Sequence, residues 1–255
     1  MKTIDCRKPD GAKLLAEIFE RTAFSEDIDA SVSKILKDVR NEGDAAISRY
    51  ALEFDGVDID STRFRVSRAE IAAAESSLSD RIKDAIKVAL DNVLTFSKRR
   101  IPEDWSFEPR PGVTLGERFV PLDRIAAYVP GGTAPLVSTT LHTICMAKAV
   151  GVPEIVVVSP PTDGGNVNPA ILYAADLAGA TEIYRLGGVY AIGAMGYGTS
   201  TIKRVQKIVG PGNAYVTAAK RQIYGYASLD MVAGPSEILI IADDTARADF
   251  IAAEK

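Results

Sequence analysis

Four loops in the second half of the chain carry residues suited to binding an anion. They are P-G-G-T-A-P (130–135), S-P-P (159–161), L-G-G-V-Y-A-I-G-A (186–194) and V-G-P-G-N-A-Y-V (209–216). Glycine lets a backbone approach a ligand closely, and a helix that follows offers free N–H donors to an anion such as a dinucleotide pyrophosphate. Taken alone, each loop is more typical of a tight strand-to-helix turn. The G-x-G-x-x-G fingerprint with a ribose-binding acid about 20 residues further on is missing.

Histidine and cysteine are scarce in this sequence. His142 is the only histidine, so one copy of the chain cannot build a site from several imidazoles. On a helix beside apolar neighbours, His142 is more typical of a surface or packing residue than of a catalytic one. Cys6 and Cys145 lie far apart without C-x-x-C spacing, which argues against a disulfide framework or a thiolate zinc site.

The elements that would position these loops follow an alternating pattern after residue 124. The pattern predicts strands over Arg124–Tyr128, Glu154–Val158, Glu182–Leu186, Lys207–Val209 and Glu237–Ala242, separated by helices over Ser138–Val150, Pro169–Ala178, a stretch through Met195 and one ending near Tyr224. Such alternation predicts an α/β fold with a Rossmann-like, mainly parallel sheet and flanking helices.

The first hundred residues lack glycine-rich loops and are typical of helices. Val32, Ile35, Leu36 and Val39 recur at helical spacing, and Ser67 followed by Glu70 fits a capping box. We therefore predict a helical region over 1–101, a linker or crossing loop over 102–123, a Rossmann-like cofactor-binding domain over 124–236, and the start of a further α/β domain over 237–255. The prolines and glycines of 102–121 favour irregular structure, with Trp105 and Phe107 packed on a neighbouring surface.

Composition excludes several classes of protein. The 255 residues are 47% hydrophobic and carry a net charge of −4, which gives no reason to expect nucleic-acid binding. The sequence contains no run of about 18 apolar residues, so we predict no membrane span. The N-terminal sequence M-K-T-I-D-C-R-K-P-D has no apolar signal region, so we expect a cytoplasmic protein.

Taken together, the loops form long motifs in a definite order. They are Y-V-P-G-G-T-A-P-L-V-S-T, S-P-P, L-G-G-x-x-A-I-x-A-M, K-I-V-G-P-G-N-A-Y-V-T-A-A-K-R and D-M-V-A-G-P-S-E-I-L-I-I-A-D. This ordered set resembles the histidinol dehydrogenase family over essentially the whole chain. The resemblance implies a homodimeric, NAD- and zinc-dependent oxidoreductase that oxidises L-histidinol, through the aldehyde, to L-histidine.

The resemblance also assigns roles to particular residues. It implies that Tyr128 of Y-V-P-G-G and Asn213 of G-P-G-N contact NAD, and that Ser236 of G-P-S-E contacts the substrate. The family has a third NAD contact, a glutamine in G-G-x-Q-A, where this chain has Tyr190. A phenol cannot reproduce the paired donor and acceptor of a carboxamide, so the cofactor site is expected to be altered.

The family's remaining catalytic groups are not found in this sequence. In the family, a zinc ion orients the alcohol and a Glu–His pair moves protons, and the first zinc ligands belong to a Q-A-E-H motif after G-P-S-E. This chain reads I-A-D-D-T-A-R-A-D-F-I-A-A-E-K to its last residue. We therefore expect no catalytic residue and no metal ligand in it. We predict a partial form that binds little or no zinc and does not turn over.

Two other functions stay open at this point. Tyr190, together with the stretch from Leu141 to Lys148 where the family commonly has Asn and Pro ahead of Ala–Lys, is compatible with a paralogue that oxidises another small polar alcohol, such as a sulfonated diol. The end of the sequence at Lys255 is compatible with a short, non-catalytic nucleotide-binding protein.

Overall fold

A computed structural model describes residues 4–5, 7–19, 25–131, 135–162, 164–233 and 240–253, with only the backbone of 17–19. The chain divides into two compact units, one formed by Met1–Ala23 with Ala233–Lys255 and the other by Phe24–Val232. In the first unit the described residues include helices α1 (Gly11–Phe19) and α10 (Ala248–Ala253). None of the helices in the described ranges is both long and apolar enough to span a membrane.

The second unit contains the sheet together with the part of the helical region that begins at Phe24. Its helices are α2 (Glu26–Glu42), α3 (Asp44–Asp55), α4 (Arg68–Ser77), α5 (Asp80–Arg99), α6 (Val137–Ala149), α7 (Pro169–Ala178), α8 (Gly188–Tyr197) and α9 (Ala214–Ile223). Its strands are β1 (Trp105–Arg110), β2 (Val113–Glu117), β3 (Arg124–Tyr128), β4 (Glu154–Val158), β5 (Glu182–Tyr184), β6 (Lys207–Val209) and β7 (Ser228–Leu229).

The main sheet confirms the predicted α/β fold. Within the described residues it has five parallel strands in the order β5-β4-β3-β6-β7. The order reverses between β3 and β6, which makes this pair the topological switch point of a doubly wound sheet. Ile125 pairs with Ile155 on one side and with Lys207 on the other, so β3 is the central strand.

Alternation along the strands gives the sheet an apolar core on each face. Ala126 and Tyr128 face a cluster with α2, α3, α8 and α9, whereas Ile125 and Ala127 face a cluster with α4, α5, α6 and α7. This is the arrangement expected of a parallel sheet that is buried on both faces. Helices α2 to α5 therefore cover part of each face of the sheet.

The N-terminal helices begin and pack largely as predicted. The residues expected to form one face of α2 are buried, namely Val32, Ile35, Leu36 and Val39. The capping box at the start of α4 is present. The Glu70 N–H donates to Ser67 Oγ at 3.2 Å, and the Ser67 N–H donates to Glu70 Oε2 at 2.8 Å.

The segment predicted as an irregular linker forms an antiparallel hairpin of β1 and β2. Gly112, at φ 79°, lies in its turn, a conformation that glycine adopts without strain. Trp105 and Phe107 do not pack on a neighbouring surface as predicted. They are about half exposed and stack on each other with ring centroids 6.0 Å apart. Cross-strand hydrogen bonds satisfy the backbone N–H and C=O groups here. Proline is tolerated in this hairpin because β1 and β2 are both edge strands.

The last predicted strand, over residues 237–242, lies partly outside the described residues. Its described end, from Ile240 to Ala242, is exposed and belongs to no strand, so the prediction of a buried strand is wrong for these residues. The start of a further domain at 237–255 stays a prediction.

Candidate active-site cleft

A cleft of about 910 Å³ lies at the carboxyl ends of the parallel strands. One wall comes from α2 and α3, and the other comes from the residues that follow or end β3, β4, β5 and β6. Ligands of open α/β sheets bind at this edge, next to the switch point. The structure brings Tyr128, Tyr190 and Asn213 together as lining residues of this one cleft.

Tyr128 ends β3 and places its phenol under the turn that begins α8. The phenol is buried, and its oxygen accepts a hydrogen bond from the Gly188 N–H at 3.1 Å. Burial raises the pKa of the Tyr128 phenol because it penalises the phenolate, although the Gly188 N–H acts in the opposite direction. Tyr128 is thus a neutral phenol that keeps a proton to donate.

Tyr190 lies in the first turn of α8 and is only 1% exposed. Its phenol oxygen accepts from the Gly187 N–H at 3.1 Å and donates to the carboxylate of Asp55, the last residue of α3. Burial, and then the nearby negative charge of Asp55, raise the pKa of Tyr190 well above the usual range of a phenol. The hydroxyl therefore serves to join the Gly187–Gly188 turn to α3.

Asn213 is the N-cap of α9. Its Oδ1 accepts from the Val216 N–H at 3.0 Å, which satisfies one of the free donors of the first turn. The residue is exposed, and its Nδ2 group has no partner among the described residues. The amide is therefore held by the cap with its donor group available to a ligand.

The loop between β6 and α9 is fixed from beneath by an ion pair whose lysine is buried. Lys220 Nζ donates to the Gly210 carbonyl at 2.9 Å and to Asp230, and the second carboxylate oxygen of Asp230 accepts from the Gly210 N–H at 2.8 Å. Gly210 itself has φ 113°, and a Cβ there would lie 2.1 Å from the Tyr128 carbonyl oxygen. Only glycine fits where this loop crosses the end of β3.

The wall formed by α2 and α3 adds aromatic and charged groups that the sequence did not single out. The Tyr50 hydroxyl donates to Asp38 Oδ2 at 2.6 Å, the Arg49 guanidinium lies 5.1 Å from the centre of the Tyr50 ring, and Phe54 stacks on that ring at 5.4 Å. No motif in the sequence marks these residues, because they meet the loops only through tertiary packing.

Comparison with known proteins identifies the family to which the chain belongs. The family profile described as histidinol dehydrogenase matches residues 19–254. The chain belongs to the histidinol dehydrogenase family. It is 50% identical to the histidinol dehydrogenase of Rhizobium meliloti over 230 residues, which are 90% of this chain and 53% of that protein. It is 44% identical to the enzyme of Symbiobacterium thermophilum, covering 92% of this chain and 53% of that protein.

A solved structure agrees with this family assignment. The crystal structure of histidinol dehydrogenase from Elizabethkingia anophelis matches with a TM-score of 0.84 and 42% identity, covering 92% of this chain and 54% of that one. The chain thus spans about half the length of the relatives that it matches.

The structure does not test the predicted role of Ser236, because this residue lies outside the described residues, as do 132–134 of the P-G-G-T-A-P loop. His142 is exposed on α6 and lines a different, largely apolar cavity with Phe119 and Met146. Cys145 is buried within α6, whereas Cys6 also lies outside the described residues.

Within the described ranges, no three His, Cys, Asp or Glu side chains come together as a metal site would require. These residues therefore do not fit the zinc ion that the family resemblance implies.

Proposed function

We propose that this protein acts in NAD-dependent oxidation of L-histidinol, through histidinaldehyde, to L-histidine in histidine biosynthesis. Support comes from family membership and from relatives at 43–50% identity that carry the name histidinol dehydrogenase. These names favour histidinol over the sulfonated diol considered as an alternative. Zinc, a homodimeric state and substrate contact by Ser236 belong to this proposal as properties of the family enzyme.

The proposal that NAD is the cofactor rests on one observation. Tyr128, Tyr190 and Asn213 line a single cleft beside the switch point. NAD, when bound, accepts the hydride that leaves the alcohol carbon. The first turn of α9 and the amide of Asn213 offer donors to its phosphates, and the neutral phenol of Tyr128 offers a further donor. Tyr190 supports the Gly187–Gly188 turn from inside, so its contribution to binding is mainly to shape that turn.

Direct measurement of NAD binding to the 255-residue chain tests this assignment. Isothermal titration calorimetry should show binding by the unmodified chain and weaker binding by Tyr128→Phe, which lacks only the hydroxyl. Asn213→Ser should also weaken binding, because serine keeps the helix cap but removes the amide donor. Tyr224→Phe is the matched control, since Tyr224 is 71% exposed and does not line the cleft. Absence of NAD binding by the unmodified chain would contradict the cofactor assignment.

Growth of a deletion strain tests the substrate. A strain that lacks the gene encoding this chain should grow when supplied with histidine but not with histidinol. Growth on histidinol alone would show that this gene is not required for the oxidation and would contradict the proposed function.

A further inference from the structure

Dinucleotide-binding sheets of this topology hold a ribose with an acidic side chain. In the common form, this acid follows the first glycine loop by about 20 residues, where the second strand of the βαβ unit ends. The corresponding strand here is β4, the neighbour of β3, and Ser159, Pro160 and Pro161 follow it. These three residues carry no carboxylate, and the next acid along the chain, Asp163, lies outside the described residues.

The fold brings a carboxylate to the cleft from another part of the chain. Asp55, at the end of α3, lines the cleft together with Pro160 and Gly188. A Cβ added to Gly187 would lie 2.6 Å from Pro160 Cβ and 3.2 Å from Asp55 Oδ2. The Asp55 carboxylate thus lies against the turn that follows β5, and Pro160 of the loop that follows β4 lies against the same turn.

The surroundings of Asp55 are unlike those of a carboxylate with a purely structural role. Its Oδ2 accepts a hydrogen bond from the Tyr190 hydroxyl. Its Oδ1 accepts from no described residue and is accessible to solvent. Among the described residues it forms no ion pair, although burial raises its pKa by penalising the charged form. A partly buried carboxylate that has no cation and keeps one oxygen open to a cleft is available to a ligand with hydroxyl donors.

We propose that Asp55 accepts hydrogen bonds from the ribose hydroxyls of the adenosine half of NAD and that its negative charge selects NAD over NADP. This inference rests on the proposed binding of NAD in the same cleft. The 2′-phosphate of NADP would face the carboxylate with like charge, whereas the free diol of NAD supplies two donors. Tyr190 acts as a positioning residue, because its hydroxyl holds one carboxylate oxygen while the other faces the cleft.

Binding of three nucleotides to three proteins tests this role. The dissociation constants of NAD, NADP and 2′-deoxyadenosine-NAD are measured by calorimetry for the unmodified chain, Asp55→Asn and Tyr190→Phe. The unmodified chain should bind NAD about tenfold or more tightly than either analogue, since a hydrogen bond to a charged acceptor contributes roughly 1.5–3 kcal/mol and 1.4 kcal/mol is a factor of ten. Asp55→Asn is nearly isosteric and removes the charge, so the preference for NAD over NADP should fall by about the same factor.

Tyr190→Phe is the matched control because it removes the hydrogen bond to Asp55 but keeps the charge. It should keep most of the discrimination against NADP even where binding of both nucleotides weakens. Equal loss of NAD and NADP affinity in Asp55→Asn, with the ratio unchanged, would overturn the inference and leave Asp55 as a support for Tyr190.

The nucleotide comparison with the unmodified chain keeps the inference testable even if a variant fails to fold. Equal affinity of that chain for NAD, NADP and the 2′-deoxy analogue would also overturn it. Failure of the unmodified chain to bind any of the three nucleotides is a different result, since it would contradict the proposed cofactor rather than the role of Asp55.

Discussion

Replacing Lys220 with methionine should destabilise the protein strongly, although it changes neither the core volume much nor any residue that lines the cleft. The Lys220 side chain is 5% exposed, and it joins the Gly210 carbonyl, at 2.9 Å, to the Asp230 carboxylate. Removing one partner of a buried ion pair costs about 3–5 kcal/mol because the other charge is left without compensation. Since the Asp230 side chain is 30% exposed and water can reach it, we expect a loss of about 2–4 kcal/mol.

Urea unfolding followed by far-ultraviolet circular dichroism measures this loss, and an unchanged m-value would show that the transition itself is the same. The matched control is Lys203→Met. Lys203 also pairs with a carboxylate, that of Glu154 at 3.0 Å, but its side chain is 68% exposed, so the change should be within experimental error. A loss below about 1 kcal/mol for Lys220→Met, or equal losses in the two variants, would refute the argument that burial gives this pair its importance.

Three further predictions concern the sheet and its supports. Gly210→Ala should lower the free energy of unfolding by about 3 kcal/mol or more in a urea titration, because its Cβ would meet the Tyr128 carbonyl oxygen at 2.1 Å; a loss below about 1 kcal/mol would mean that the loop can move away. Ser67→Ala removes the capping box of α4 and should lower the thermal stability by the equivalent of about 1 kcal/mol, whereas Ser67→Asp should retain most of it. Arg124 lowers the pKa of Glu182, so the stability that this pair adds should be present above the unfolded-state pKa of about 4.3 and disappear as the pH falls through the lower folded-state value. The free energies of unfolding of Glu182→Gln and the unmodified protein should therefore differ at neutral pH and converge in acid. A difference that stays constant with pH would contradict the contribution of this ion pair to stability.

The central sheet was predictable because its signals are local. The strands over Arg124–Tyr128, Glu154–Val158 and Lys207–Val209 have the predicted bounds, and the helix over Pro169–Ala178 does as well. Short apolar runs between glycine and proline turns leave little choice of boundary. The predicted strand from Glu182 ends at Tyr184, two residues early, and the next backbone N–H, that of Arg185, donates to the Phe64 carbonyl at 2.9 Å instead of to a strand of the sheet.

The features that the sequence did not predict depend on interactions between residues that are not adjacent along the chain. Prolines and glycines between Pro102 and Pro121 are typical of a loop, yet cross-strand pairing of Trp105 with Glu117 makes a hairpin there. The position of Tyr190 could be assigned from the family pattern, but its bond to Asp55 spans 135 positions and no spacing rule reveals it. Motifs can locate a loop, whereas the partner that the loop meets depends on which helices cover that edge of the sheet.

The missing ribose-binding acid illustrates the difference between a sequence fingerprint and the physical requirement behind it. What a dinucleotide needs is a set of free N–H donors, a close backbone approach and a fixed acceptor for hydroxyls, and none of these must come from one continuous stretch. In this chain the end of β4 provides proline, and α3 provides Asp55 beside it. The N-terminal helices are therefore more than a cover for the sheet, because α3 contributes a charged group to the cleft. An absent G-x-G-x-x-G pattern thus argues against one way of assembling the site, and not against dinucleotide binding.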